Sequence, residues 1–114
     1  MDNSVPSLPS NTRMLRILIS SAVKDKLQNK HKVHPEWITG CFRNRRRDYM
    51  KEVREEHRTL PQTHWFIAEY EPEKQLKICF IYLEEERALV IKTAYPPSKK
   101  EIEIYMKAPL IQAA

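Results

Sequence analysis

The chain has a single glycine, Gly40, among its 114 residues. A phosphate-cradling loop needs several positions without a Cβ so that backbone N–H groups can close on the anion. Nucleotide-binding loops of that kind are therefore excluded. A nucleophile elbow is excluded as well, because no G-x-S-x-G is present. Cys41 and Cys79 are the only cysteines, too few for a disulfide framework and without zinc spacing. Both lie in apolar patterns and read as buried thiols in a reducing compartment. No Asp/Glu/His set stands at metal spacing, so neither metal nor cofactor is expected. No apolar run reaches the length of a membrane span. Residues 1–12 carry Asp2, Pro6 and Pro9 in place of a basic start and an apolar stretch. They read as a disordered tail and not as a secretory signal. Residues 109–114 read as a second tail, which leaves one domain over 13–108, with a cytoplasmic location and no membrane partner as the expectation.

Positive charge, by contrast, is abundant. Twenty lysines and arginines face fifteen carboxylates, for a net charge of +5 and a pI of about 9.3. Such a balance favours an acidic partner, whether nucleic acid, an acidic protein or an anionic surface. Hydrophobic residues make up 41%, enough for one modest core.

Patterning gives an α+β chain. Met14–Ser20 is a short apolar run read as a strand, with a helix start as its competitor. Ser20 or Ser21 caps a helix running to about Lys30, with Val23 and Leu27 on its inner face. A second helix opens at His34-Pro35-Glu36, where proline loses no hydrogen bond. Its stripe is Trp37, Ile38, Cys41 and Phe42, and Gly40 is expected to admit a close neighbour. The polar stretch 43–61 holds at most a short irregular strand near Tyr49–Val53. Thr63–Tyr70, Leu76–Leu83 and Ala88–Tyr95 form an antiparallel meander, because their connections are short. The middle strand is apolar apart from Lys77 and reads as central. Ser98 and Glu101 have capping-box spacing and start a last helix that buries Ile102, Tyr105 and Met106.

Lys26-Leu27, Lys30-His31, Val33, Phe42, Trp65-Phe66-Ile67-Ala68, Glu101 and Tyr105 together resemble the BrnT branch of the RelE/ParE toxin superfamily, over roughly Ile17 to Met106. Lys30 and His31 fall on that family's Lys-His pair, Thr93-Ala94 on its Ser-Ala step, and Glu101 and Tyr105 on the Glu and Tyr of its last helix. Lys32 stands where the family commonly has glycine, and Tyr95 where it commonly has arginine. The resemblance implies a three- to four-stranded antiparallel twisted sheet with two N-terminal helices and one C-terminal helix. It also implies the toxin of a type II toxin-antitoxin system, a ribonuclease neutralised by a cognate antitoxin. RNA is then the substrate. Ribosome dependence and a homodimer inside the antitoxin complex stay open.

Metal-free RNA cleavage needs a base for the 2′-hydroxyl, a cation for the phosphorane and an acid for the leaving oxygen. His57, flanked by Arg54 and Arg58, is the first candidate for acid or base, against the reading of 54–58 as a solvated loop. Lys92 is the second, a lysine in an apolar strand followed by Tyr95. Its alternative is a lysine that guards a sheet edge. Lys30 and His31 are the third, or else they offset a helix dipole. His34 and His64 read as structural. Arg43, Arg45, Arg46 and Arg47 form the densest basic run, read as a track for RNA or a dock for an acidic antitoxin helix, or as plain solvated surface. A non-catalytic binding module and a gyrase-poisoning toxin are the competing functions.

Overall fold

A computed structural model of the chain describes residues 15–54 and 61–111. The first strand, β1, is Arg16–Leu18. Ser20 then caps α1 (Ser21–Lys26), its Oγ accepting the Val23 N–H at 3.2 Å. The helix runs on as a π-helical turn, Leu27–His31, that stops at Lys32. Pro35 opens α2 (Pro35–Arg43). Next come β2 (Met50–Lys51), β3 (Thr63–Glu71), β4 (Lys74–Leu83), β5 (Ala88–Tyr95) and α3 (Lys99–Tyr105). At α3 the capping box forms in both directions: Ser98 Oγ accepts the Glu101 N–H, and Glu101 Oε1 accepts the Ser98 N–H.

The described strands make one mixed five-stranded sheet in the order β1-β5-β4-β3-β2. This corrects the antiparallel three- to four-stranded sheet. The meander β3-β4-β5 is antiparallel, but β1 pairs parallel with β5, from Arg16↔Ala88 to Leu18↔Val90. Short turns force neighbouring strands to run antiparallel. A strand separated from its partner by helices and three other strands is under no such rule.

Side chains alternate across the sheet, so Phe66, Ile78 and Ala94 share one face while Trp65, Cys79 and Thr93 share the other. The first face packs under α2. Phe42 lies 4.7 Å from the Phe66 ring and 5.5 Å from Phe80, and the Cys41 thiol donates to the Ala68 carbonyl. The second face meets α3, with Tyr105 at 5.8 Å from Trp65. Both cysteines are buried free thiols, as their patterns suggested.

Three local expectations change. A Cβ at Gly40 would meet nothing within 4 Å, so this glycine admits no close neighbour. Met106 is 57% exposed, because α3 ends at Tyr105 and the chain turns away there. The tail expected from 109 is held as far as 111. Asp48 N–H donates to Pro109 O and Ile111 N–H to Arg46 O, both at 2.9 Å. No helix among the described residues is long and apolar enough to cross a membrane.

Candidate functional site

Register brings the strand residues of the main cluster together. Lys77 on β4 lies opposite Tyr95 on β5 and Ile67 on β3, and Cys79 lies opposite both Trp65 and Thr93. These residues face α3, whose first turn carries Glu101. Lys77 is buried, and its Nζ sits 2.8 Å from Glu101 Oε2 and 4.5 Å from the Trp65 ring centroid. Tyr95 donates its hydroxyl to the same Glu101 oxygen at 3.0 Å. Glu101 Oε1 takes the Ser98 N–H at 2.8 Å, so the carboxylate is bonded on both oxygens. On the open side of Tyr95, the His31 ring lies 5.7 Å away at 37°. The π-helical turn, β4, β5 and α3 thus each contribute one titratable side chain to one end of the sheet.

Electrostatics follow from this geometry. Burial would raise the Glu101 pKa, but the Lys77 ammonium and the bonds from Ser98 and Tyr95 pull it down to about 2. Burial would likewise lower the Lys77 pKa, yet Glu101 and Tyr95 raise it, so the lysine stays charged. Burial pushes Tyr95 up, and its hydroxyl keeps its proton. Cys79 is pushed up to about 11 by burial against the opposing pull of Lys77, and Cys41 to about 12. Neither thiol is a nucleophile at neutral pH.

A second pair stands at the β2 end. The buried Glu52 carboxylate takes Arg54 in bidentate fashion, with Nη2 at 3.0 Å and Nε at 3.2 Å, plus the Arg54 backbone N–H at 3.0 Å. The guanidinium holds Glu52 at about 2.

Of the residues singled out in the sequence, His57 and Arg58 lie outside the described residues. Arg54 grips Glu52 and its side chain is 53% exposed. Lys92 is the extra residue of a β-bulge, where Cys79↔Thr93 is followed by Phe80↔Ile91. Its side chain is exposed and makes no hydrogen bond or ion pair among the described residues. Tyr95 and His31 meet, while Lys30 is exposed at the end of the π-helical turn. Lys32 adopts φ 56°, the left-handed region where glycine is at ease.

The arginine run divides. Arg45 stacks on Tyr49 at 3.8 Å and donates to the Arg47 carbonyl. Arg47 donates to the Ala108 carbonyl at 2.7 Å, and its own carbonyl accepts from Tyr105 at 2.9 Å. These two fasten the segment after α2 to the end of α3. Only Arg43 and Arg46 are exposed. His64 is buried against Phe80, its pKa lowered by burial, and its Nδ1 finds no partner among the described residues. His34 meets Trp37 edge-on, and Trp37 stacks on Tyr70 at 4.3 Å.

Sequence reasoning missed Lys77. A lysine in an apolar strand must face solvent or find a partner, and Lys92, the lysine singled out on that ground, is exposed. Lys77, inside the more continuous apolar run, is the lysine that is buried and paired. Among the described residues, no group of three or more His, Cys, Asp or Glu is arranged to hold a metal ion. The chain matches no family model, and no curated protein matches it.

Proposed function

We propose that the chain is a metal-independent ribonuclease of the toxin kind, with His31 and Tyr95 at its reacting centre. The observation that carries this reading is their meeting on a carboxylate-lysine support built from β4, β5 and α3. His31 and Glu101 are positions that the resemblance named on separate grounds. In the proposed reaction, His31 takes the proton of a ribose 2′-hydroxyl. The 2′-oxygen attacks the adjacent phosphorus, and the bond to the 5′-oxygen breaks with a proton returned to that oxygen. The products are a 2′,3′-cyclic phosphate and a 5′-hydroxyl. Tyr95, whose hydroxyl is held by Glu101, positions the ring of His31; the imidazolium formed there returns the proton to the 5′-oxygen, and Lys30 supplies the exposed cation. An antitoxin covering this end of the sheet would inhibit by competition, in the cytoplasm where RNA is met.

A non-catalytic binding module is the second reading. It is favoured by the mutual neutralisation of Lys77 and Glu101 and by the grip of Arg54 on Glu52. One experiment separates the readings. The chain is induced alone in a bacterial host, and RNA ends are mapped by primer extension beside His31→Ala and His57→Ala variants. Growth arrest with new RNA ends that disappear in His31→Ala is the expected result. Loss only in His57→Ala would move the centre to 54–58. Arrest with intact RNA would move the target to gyrase, and unimpeded growth with a folded product would favour the binding module.

A further inference from the structure

The densest arginine run is not the best track for a polyanion. Arg45 and Arg47 are committed to the backbone around 47 and 108. Arg46 borders a groove of about 480 Å³ whose walls include Glu69, Glu71 and Glu73. A phosphate approaching Arg46 would meet those carboxylates.

The α1 helix and the π-helical turn after it have a different character. Lys24, Lys26, Lys30 and Lys32 are all exposed, and none forms an ion pair or side-chain hydrogen bond among the described residues. One carboxylate, Asp25, interrupts them. The inner side of this element is occupied by Leu27, buried in the core, and Val23, packed against it. Its outer side therefore offers charge without the apolar face that insertion into a lipid surface requires. Lys24 and Lys26 flank this inner stripe on its two sides, the same element ends at His31, whose ring lies 5.7 Å from Tyr95, and the exposed Lys99 and Lys100 open α3. Lys32 holds a left-handed backbone that glycine would adopt at less cost.

We infer that the exposed lysines of α1 and the π-helical turn, Lys24, Lys26, Lys30 and Lys32, form the track that holds single-stranded RNA and feeds it to His31 and Tyr95. This rests on the ribonuclease reading and adds to it the surface that binds the substrate. The exposed arginines of 43–46 are not that surface.

The test is the salt dependence of binding to a labelled single-stranded 2′-O-methyl RNA, which lacks the attacking hydroxyl. Each phosphate contact on a single strand contributes about 0.7 to the slope of log affinity against log salt. Replacing all four lysines by glutamine, which preserves helix propensity, is expected to lower that slope by about 3 and to weaken binding at least about tenfold. The Arg43→Gln, Arg46→Gln variant is expected to lose less than about 1 in slope. Circular dichroism melting of each variant checks that the fold is kept. An unchanged slope in the lysine variant, or an equal loss in the arginine variant, overturns the inference while leaving any cleavage by the unaltered chain intact. Loss of slope in the lysine variant of a chain that cleaves no RNA keeps the track and removes the ribonuclease reading. Tighter binding to phosphatidylserine vesicles than to RNA, lost in the same variant, would assign the lysines to a membrane surface and overturn the proposal.

Discussion

Glu101→Gln removes one charge and little else. Glutamine retains nearly the shape of glutamate and still serves at the third position of a capping box, so the start of α3 is preserved. What changes is the surrounding of Lys77, whose side chain is 4% exposed and whose ammonium would lose its counter-charge at 2.8 Å. Breaking a buried pair by removing one partner costs about 3–5 kcal/mol. Glu101 is 23% exposed, so water reaches the pair and the lower end, about 2–3 kcal/mol, is expected. A carboxyl held at about 2 against an ordinary 4.5 contributes at most about 3 kcal/mol near neutral pH. The folded-state pKa is depressed, so this stability is fully present above 4.5 and is lost as the pH falls toward 2. Urea unfolding at pH 7 should show the loss, and a pH series should show that the variant has a shallower decline between 4.5 and 2 than the unaltered chain. The double variant Lys77→Met, Glu101→Gln removes both charges and should be more stable than Glu101→Gln alone. Its coupling measures the pair directly. A loss below about 0.5 kcal/mol in Glu101→Gln, with an unchanged acid profile, would refute the view that this pair organises the α3 face.

Two further outcomes follow from the packing. Gly40→Ala should stabilise the protein by about 0.5–1 kcal/mol in thermal or urea unfolding, because alanine is the better helix former and its Cβ meets nothing within 4 Å. Cys41 and Cys79 should resist a thiol-modifying disulfide at pH 8 in the folded protein and both react in denaturant, since burial holds them at about 12 and 11. Rapid labelling of Cys79 in the native chain would show that the α3 face opens to solvent.

Much of the fold was legible because its signals are local. Ser20, Pro35 and the Ser98–Glu101 box mark helix starts through hydrogen bonds that span only a few residues. The three long strands announced themselves by apolar content and short connections. The parallel pairing of β1 carried no local signal, because its partner β5 lies some seventy residues further along the chain, after the helices and three other strands. The site was legible in pieces. His31, Tyr95 and Glu101 were each named, but no spacing said that they meet, since 31, 77, 95 and 101 come from four separate elements.

The sequence by itself determined an α+β chain of one core, a positive balance, buried thiols, and the exclusion of glycine-loop nucleotide chemistry. Composition and short-range periodicity suffice for these, because each depends on residue type and near neighbours. Only the tertiary structure decided which charges are available. It buried Lys77 behind Glu101 and left Lys92 exposed on a bulge. It tied Arg45 and Arg47 to backbone carbonyls while leaving the lysines of α1 unpaired among the described residues. A charge is available or committed according to what the fold sets opposite it, and that partner is usually distant in the chain.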